Sequence, residues 1–494
     1  MHILTESSRG PHHLLVASTA LEDNMEITPP HYFDDLMSIL KDSSQGITTI
    51  EVGEERPRIQ EVPTLLREVT KNRDCYDPRL VSFGPYHHCN QKLQLGQVLK
   101  TRVVRQFFIS LREAQSGKSV VKDFFEEELD QVAHEARDCY ATGSTDKIND
   151  QDFKRLVFFD GCFIVYFIYC IVKDKQVDLR MKNDHIAFVT MDLFLLENQL
   201  PYMVLKALVT NFLPQDGTYI FDKFMELQTE AIGSTSTSKP RYQKVRHFFN
   251  TPTPAATLPS SSLQAQKEPH HLLDLLRTRY LTTSQPSRSQ IDVPHNNGDN
   301  WQSFRSVQEL KATGIKCSCT RTCCIRDVEF QSHLINGDLS LPALVIDDST
   351  KTKWLNLIAY EACPDFSNDF DFTSFVCFMD SLIDHAEDVG ELRSEGILLN
   401  SLGSDQKVAE LFNDLTIDLT PNPSAYKEVK HRIEKHYKNK WSVWIAEAWR
   451  TNFRTPWTTT AFFAALFVII LTFLQTILTG VQTYYQLPSS QSHH

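Results

Sequence analysis

Apolar residues recur at helical spacing through most of the chain. In the segment 103–114 (VVRQFFISLREA) they occupy positions 103, 104, 107, 108 and 111, which places them on one face of an α-helix. The segment 120–140 repeats this pattern and carries an acidic outer face. The spacing therefore predicts a mostly helical domain, which we place at residues 61–453.

The segment 156–172 (LVFFDGCFIVYFIYCIV) is apolar nearly all round, and only Asp160 and Gly161 interrupt it. A run of this kind is either a buried central helix or a membrane span. Its 17 residues include a charge, and charged residues flank it on both sides. These charges favour the buried central helix.

Shorter periodic segments complete the predicted body. They are 192–208, in which Pro201 starts a new segment, 271–281, 356–363, 374–392, 407–415 and 426–450. A strand pair is expected at 324–330 and 339–347, because the loop between them holds the turn dipeptide Asn336–Gly337. The predicted fold class is mainly α with a small β element (α+β).

Three stretches lack the periodic apolar residues of a packed core. Residues 1–60 show no sustained periodicity and are predicted to be mostly disordered. The segments 232–269 and 282–300 are rich in polar residues and proline and are predicted to be flexible insertions. The short helix at 271–281 lies between them and is expected to dock back on its own domain.

The C-terminal segment differs from the rest because no Asp, Glu, Lys or Arg follows Arg454. Residues 459–478 are almost wholly apolar, and about 20 helical residues span roughly 30 Å, the thickness of a hydrocarbon core. A buried core helix is the alternative, but such helices are usually shorter. We predict one transmembrane helix with these anchor residues: Trp457, Phe462, Phe463, Leu466, Ile469, Ile470, Leu471, Phe473 and Leu474.

The basic residues near this helix predict its orientation. Lys435, Lys438, Lys440, Arg450 and Arg454 precede it, and no Lys or Arg follows it. The positive-inside rule then keeps the body in the cytosol and places residues 479–494 on the other side as a short non-cytosolic tail. The prediction is a tail-anchored, single-pass protein of the plasma membrane or an endomembrane, bound to the lipid bilayer through this helix.

Composition narrows the class of protein further. The chain carries 50 Lys+Arg and 62 Asp+Glu, a net charge of −12, whereas nucleic-acid binding needs a basic surface. We therefore expect no nucleic acid as a partner. The N-terminus lacks the features of a cleaved secretory signal, and 11 cysteines in 494 residues are too sparse for a disulfide scaffold.

No standard catalytic motif accompanies this composition: G-x-G-x-x-G, G-x-S-x-G and H-E-x-x-H are all missing from the sequence. Three polar groups remain as candidates for chemistry. They are His87 and His88 in GPYHH (84–88), Asp160 and Cys162 in DGC (160–162), and ENQ (197–199) in LLENQ. Convergence in one open pocket indicates an enzyme, whereas burial with satisfied hydrogen bonds indicates a scaffold. We prefer the scaffold.

Four cysteines in CSCTRTCC, namely Cys317, Cys319, Cys323 and Cys324, suggest a metal site by their density. The spacing C-x-C-x₃-C-C is not a standard zinc-finger spacing, and adjacent cysteines rarely share one tetrahedral ion. Free or S-acylated thiols are the preferred interpretation, and no metal or cofactor is predicted. A divalent cation on Asp347, Asp348, Asp380 and Asp384 is a weaker alternative to an exposed acidic face.

Several motifs, taken in order, resemble the plant-specific DUF247 family of proteins of unknown function. They are YDPRLVSFGPYHH (76–88), FFDGCFIVYFI (158–168), DLFLLENQLPYMVL (192–205), HLLDLL (271–276), LPALVIDDST (341–350) and NSLGSDQKVAELFN (400–413). The resemblance covers roughly residues 61–480. It implies a mostly helical body with one C-terminal membrane helix and assigns no catalytic activity. Some grass members are associated with the pollen side of self-incompatibility.

These observations favour a membrane-anchored protein that acts in recognition or signalling through contacts with other proteins. The alternative is a membrane-bound enzyme with a site around His87 and His88, or around Asp160 and Cys162. The identities of the membrane and of any protein partner do not follow from the sequence.

Overall fold

The body of the protein is built mostly of helices. The computed structural model describes residues 59–114, 119–229, 268–282, 305–320, 322–333, 336–366, 369–438 and 456–486. The helices in these ranges are α1 Thr64–Arg67, α2 Gln94–Ala114, α3 Ser119–Asp123, α4 Leu129–Arg137, α5 Asp150–Val172, α6 Asn183–Asp192, α7 Tyr202–Phe212, α8 Tyr219–Thr229, α9 Leu272–Leu281, α10 Val307–Ala312, α11 Thr350–Glu361, α12 Asp371–Leu382, α13 Ala386–Ser394, α14 Asp405–Leu415, α15 Lys427–Lys438 and α16 Pro456–Gln486. A π-helical turn, Phe124–Glu128, joins α3 to α4.

Five short strands accompany the helices: β1 Ile315–Cys319, β2 Glu329–Ser332, β3 Gly337–Leu341, β4 Leu344–Ile346 and β5 Leu398–Asn400. They form a three-stranded sheet in the order β1-β3-β2 and a two-stranded sheet of β4 and β5. The predicted fold class, mainly α with a small β element, is confirmed.

The central element is α5, which contains the long apolar run. Asn149 caps its start by accepting a hydrogen bond from the Asp152 N–H, as an N-cap residue does. Phe163, Phe167 and Ile168 are completely buried, and α5 packs against α2, α4, α7 and α8. An all-round apolar surface is explained by contact on every side, so the prediction of a buried central helix is confirmed.

The predicted helix over 192–208 is only partly correct. Helix α6 ends at Asp192, and α7 begins directly after Pro201, as the proline predicted. Between them the chain is irregular, with one 3₁₀ turn at Leu196–Asn198. Side chains take over the backbone hydrogen bonds here, because Gln199 donates to the carbonyls of Leu193 and Leu195. Local polar side chains of this kind compete with helical bonding.

The predicted single helix at 374–392 is wrong, because α12 ends at Leu382 and α13 starts at Ala386. The Asp388 carboxylate accepts hydrogen bonds from the backbone N–H groups of Asp384 and His385, at 3.1 and 3.0 Å. This arrangement satisfies the first donors of a new helix. The hydrogen bonds of Asp388 therefore explain why a new helix begins at Ala386.

Helix α9 docks on the body as predicted for the short helix at 271–281. His271 caps it by accepting from the Asp274 N–H, and Leu273 and Leu276 are completely buried. The helix packs against α8, α11 and α12. Of the two predicted insertions around it, only Glu268, Pro269 and Thr282 fall in the described residues.

The expected strand pair exists with different bounds. Strands β2 and β3 are antiparallel, with Phe330 opposite Leu339, whereas residues 324–328 form a turn rather than a strand. A third strand, β1, was not predicted; it runs parallel to β3 with Cys317 opposite Leu339. Its alternation of buried and exposed residues is short and lies among cysteines, so the pattern gave no strand signal.

The described body begins with Ile59, which is completely buried. Its N–H donates to the Cys139 carbonyl and its own carbonyl accepts from the Ala141 N–H, at 3.0 and 3.1 Å. Residues 1–58 of the predicted disordered segment lie outside the described residues. At the other end, α15 ends at Lys438, and the rest of the predicted 426–450 helix also lies outside them.

Glycine 96 provides a test of the packing between α2 and the preceding chain. A Cβ at this position would lie 1.9 Å from the Leu80 carbonyl oxygen, so the backbone would have to move. We expect Gly96→Ala to destabilise the full chain by about 1–3 kcal/mol, measured by denaturant unfolding in detergent.

The matched control is Gly390→Ala in the middle of α13, where the new Cβ meets only Asp405 Oδ2 at 3.6 Å. Alanine there should stabilise by up to about 1 kcal/mol, because glycine is a poor helix former. Equal effects of the two substitutions would contradict the packing described for Gly96.

Candidate functional site

The three polar motifs GPYHH, DGC and LLENQ meet in one place inside the body. Asp160 projects from α5, and its Oδ2 accepts a hydrogen bond from the Gly84 N–H at 3.0 Å. Gly84 adopts φ +67°, and a Cβ there would lie 2.9 Å from the Gln199 carbonyl oxygen. The glycine therefore permits both the turn and the close approach of the LLENQ segment.

Lys100 of α2 completes the environment of Asp160. Its Nζ lies 2.5 Å from Asp160 Oδ1 and 2.7 Å from the Ser82 carbonyl oxygen, to which it also donates. Both charged side chains are 1% exposed. Burial raises the pKa of Asp160, while Lys100 and the Gly84 N–H act in the opposite direction. A buried pair of this kind adds little net stability, but loss of either partner is costly.

Asn198 lies at the centre of the network and uses both ends of its amide. Its Oδ1 accepts from the Phe83 N–H at 2.6 Å, and its Nδ2 donates to the carbonyls of Val81 and Asp192 at 3.0 and 2.8 Å. Asn198 is 1% exposed. These bonds join the irregular segment before α7 to the segment before α2.

Gln199 extends the network to α9. Its Oε1 accepts from the Leu273 N–H at 3.2 Å, while its own carbonyl accepts from the Tyr140 hydroxyl at 2.9 Å. The neighbouring Leu196 N–H donates to Asn356 Oδ1 of α11 at 2.8 Å. Four separate parts of the chain are thus held by one irregular segment.

Asp192, the last residue of α6, binds the backbone of residues 79–81. Its carboxylate accepts three backbone hydrogen bonds, from Arg79, Leu80 and Val81, at 2.8–2.9 Å. Burial raises the pKa of Asp192 to about 6, even though the three N–H donors favour the ionised form. The arrangement fixes the chain path on which Phe83 and Gly84 depend.

Glu197 lies at the edge of the network. Its Oε1 accepts from the Val62 N–H at 2.8 Å, and its Oε2 lies 2.7 Å from Arg67 Nη2 and 3.2 Å from His87 Nε2. Burial acts to raise the pKa of Glu197, but the contacts with His87, Val62 and Arg67 together hold it below the ordinary value of 4.5. Glu197 is therefore ionised at neutral pH.

Asp77, His87 and Glu197 form a group with metal-ligand geometry, since one ligand atom of each lies within 4.8 Å of the others. Arg67, however, contacts both carboxylates, with Nη1 2.8 Å from Asp77 Oδ1. The guanidinium supplies the positive charge that a cation would bring. His88 is exposed and takes no part in the group.

Asp160 and Cys162 are both completely buried. Burial also raises the pKa of the Cys162 thiol well above its ordinary value, which keeps the thiol protonated and unreactive. Neither side chain can contact a substrate without local opening of the core. Asp160, Glu197, Asn198 and Gln199 are thus buried and hydrogen-bonded to the backbone or to charged neighbours, whereas His88 is exposed.

The cysteine cluster divides between strand β1 and the residues that follow it. Cys317 and Cys319 lie on β1, with Cys317 buried, whereas Cys323 and Cys324 follow the strand. Among the described residues, the four sulfurs supply no group of three within metal-ligand distance. Burial raises the pKa of Cys317 to about 12. Cys319 and Cys323 are partly exposed and remain the accessible thiols.

The four acidic residues Asp347, Asp348, Asp380 and Asp384 likewise supply no group of three ligand atoms in the described part of the chain. Asp347 instead accepts from the Ser349 N–H and the Thr350 hydroxyl at the start of α11. Its role there is local, as in other Asx turns.

Several residues of the network, notably Lys100, Asp192 and Asn356, were not among the predicted site residues. Lys100 carries a usable signal, because by helical spacing it falls on the same face as the buried Val103, Val104 and Phe107. A charged residue at a core position requires a buried partner. Asp160 carries the same signal as the charge inside an apolar run, but nothing in the sequence indicates that these two residues, 60 positions apart, pair with each other.

The fold and the site together define a mostly helical α+β protein whose irregular core segments are held by buried polar side chains. The chain belongs to the plant DUF247 family, because a model of that family, described as plant protein of unknown function, matches residues 59–471. The resemblance noted from the motifs is confirmed.

Two relatives from Arabidopsis thaliana support this assignment. The chain is 28% identical to UPF0481 protein At3g47200 over 464 residues, which cover 88% of each chain. It is 31% identical to Putative UPF0481 protein At3g02645 over 196 residues, 39% of this chain and 36% of that protein. No solved structure matches the chain.

The depressed pKa of Glu197 predicts a pH-dependent contribution to stability. Its ionised contacts stabilise the fold at neutral pH, and this contribution is lost as the pH falls through the folded-state pKa, below 4.5. Glu197→Gln should lower the free energy of unfolding by about 1–3 kcal/mol at neutral pH. The difference from the unmodified chain should shrink on acidification, as measured by denaturant titration.

The control is Glu428→Gln, which removes the exposed pair with Arg432 at 2.5 Å. An exposed pair contributes at most about 1 kcal/mol. A Glu197→Gln effect that stayed constant from neutral to acidic pH would contradict the assigned role of its charge.

Proposed function

We propose that this protein is a single-pass membrane protein whose cytosolic body recognises other proteins. The observation that carries the proposal is α16, in which the 23 residues Thr460–Gln482 are long and apolar enough to cross a membrane and are all exposed. The second apolar helix, α5, is instead mostly buried in the body. The protein core therefore covers most of α5, whereas α16 needs an apolar environment outside the body.

The energetics of α16 favour lipid. Residues 460–482 include 13 Leu, Ile, Phe or Val residues and no Asp, Glu, Lys or Arg. At about −0.3 to −0.6 kcal/mol for each such residue, insertion gains roughly −4 to −8 kcal/mol before the polar residues are counted. In water the same side chains would remain exposed, since Phe467 and Phe473 are 62% and 67% exposed.

The polar residues of α16 are compatible with lipid. The hydroxyls of Thr472, Thr476 and Thr479 each donate at 2.8 Å to the carbonyl four residues earlier. Internal bonds of this kind remove the cost of an unpaired donor in hydrocarbon. We infer that these threonines do not prevent insertion.

The cytosolic orientation of the body rests on the basic residues before α16, among them Lys435, Lys438 and Lys440, and on the lack of Lys or Arg in residues 455–494. The body would then face cytosolic partners, with residues 479–494 on the opposite side. The membrane could be the plasma membrane or an endomembrane.

The buried network favours recognition over catalysis. Asp160, Asn198 and Glu197 all use their polar atoms to hold backbone segments or charged neighbours, so they are not available for a reaction. A rigid core of this kind can carry variable surface segments, which are the usual sites of protein recognition. A pollen-side role in self-incompatibility, as in some grass members, would be one form of such recognition and would depend on locus and expression.

Removal of the span tests the membrane tether. The full chain should remain with membranes after an alkaline carbonate wash, whereas a chain that ends at Arg454 should be released. Pelleting of the shortened chain would contradict the proposal and point to α5 as a second inserted segment.

A full-length variant, Ile470→Arg with Leu471→Arg, separates the chemistry of the span from its length. Two arginines at the helix centre cost about 5–7 kcal/mol, so carbonate should release this variant too. Its matched control, Ile470→Val with Leu471→Val, should stay with the membrane.

Protease protection tests the orientation. In sealed microsomes an N-terminal tag should be digested, while a tag after His494 should be protected until detergent is added. A protected N-terminus with a digested C-terminus would overturn the proposed topology and leave the tether intact.

A further inference from the structure

Helix α2 carries a stripe of apolar and basic residues on its outer face. The stripe consists of Leu95, Val98, Arg102, Arg105, Ile109 and Arg112, all of them exposed. The spacings of three and four residues keep these positions within an arc of about 100° over roughly 26 Å of helix. The opposite face, with Val103, Val104 and Phe107, is buried against the body.

The apolar members of the stripe are exposed to an unusual degree for a helix whose other face is fully packed. Leu95 is 53% exposed, Val98 57% and Ile109 42%, whereas the buried-face residue Val103 is 0% exposed. Single exposed apolar residues are common. Here three of them share one narrow face with three arginines, a combination that suits a surface with both anionic groups and apolar chains.

The arginines of the stripe have no acidic partner in the described part of the chain. Arg102, Arg105 and Arg112 form no ion pair or side-chain hydrogen bond there, in contrast to Lys71 and Lys351, which both bind Asp414. Glu113, in the last turn, is the one carboxylate on α2. In a chain of net charge −12, this face is a local excess of positive charge.

We propose that the outer face of α2 lies on the cytosolic surface of the membrane and binds anionic lipid headgroups. The guanidinium groups match phosphate and carboxylate oxygens in charge and geometry, and the three apolar side chains can enter the boundary between headgroups and acyl chains. The inference rests on the proposed function, because a tether on the same chain holds this face at high local concentration near the lipid.

Charge complementarity favours a lipid surface over a protein groove. The stripe is narrow, and Arg102 and Arg105 divide its apolar residues into Leu95 with Val98 on one side and Ile109 on the other. The apolar residues therefore form no single centre surrounded by cations. A protein interface typically has an apolar core and a polar rim. A membrane surface instead presents anionic headgroups and, directly beneath them, acyl chains, so a helix that lies on it can use cationic and apolar side chains of the same face.

Site-specific photocrosslinking of the full chain tests this proposal. The chain is reconstituted into nanodiscs of phosphatidylcholine alone or of phosphatidylcholine with phosphatidylserine. Benzoylphenylalanine replaces Val98 on the stripe, Phe467 in the span, or Tyr219, which is 64% exposed on α8. After irradiation, mass spectrometry identifies whether each position is joined to lipid or to protein.

We expect lipid adducts at Val98 and Phe467 and none at Tyr219, with the Val98 yield rising when phosphatidylserine is present. Arg102→Glu with Arg105→Glu should lower the Val98 yield about tenfold, since each basic residue contributes to binding at an anionic surface. Arg102→Lys with Arg105→Lys should retain most of it. The charge-matched control, Lys182→Glu with Lys407→Glu on exposed sites elsewhere, should leave it unchanged.

The outcomes separate this inference from the tether. Lipid adducts at Phe467 without any at Val98, or Val98 adducts on protein, including residues 1–58, would overturn the α2 proposal and leave the tether standing. A Val98 yield that ignores both phosphatidylserine and the Arg→Glu change would overturn the anionic specificity. Lipid adducts at Val98 without any at Phe467 would overturn the tether alone.

Discussion

The structure depends on satisfying the backbone of one irregular buried segment, residues 193–201. A helix would pair its own N–H and C=O groups, but this segment leaves them open inside the core, where an unmade hydrogen bond costs about 1–3 kcal/mol. Gln199 and Asn356 supply partners within this segment, and Asn198 binds the backbone of Asp192 just before it and of Val81 and Phe83 beside it. Because each of these side chains also binds a distant segment, the same bonds set the positions of α2, α9 and α11.

This constraint explains why the chain contains groups that look catalytic. The histidine, carboxylate and thiol of GPYHH, DGC and LLENQ are the residue types of active sites, yet in this fold they surround a backbone that needs partners. The Lys100–Asp160 pair follows the same logic, since its ions are bonded to the Ser82 carbonyl and the Gly84 N–H as well as to each other. With the interior so committed, the interactions that we propose with other molecules use surfaces, namely α16 and the outer face of α2.

The sequence predicted elements well where one periodicity ran through a whole segment. The run at 156–172 and the helices at 271–281 and 407–415 were recognised because burial on one or all sides leaves a repeating apolar pattern. The prediction failed where polar side chains interrupt a periodic segment. Asp388 binds the backbone between α12 and α13, and Gln199 binds the backbone before α7. Strand β1 was missed because its alternation of buried and exposed residues is short and lies among cysteines.

By itself the sequence determined the class of fold, the family, and the charge-free apolar segment near the C-terminus, because composition and periodicity are local properties that each segment carries with it. Only the tertiary structure decided which polar residues meet. Gly84, Lys100 and Asp160 converge because α2 and α5 pack side by side, and His87 reaches Glu197 while its neighbour His88 does not. Partnerships between distant residues depend on the path of the whole chain, and no single segment encodes that path.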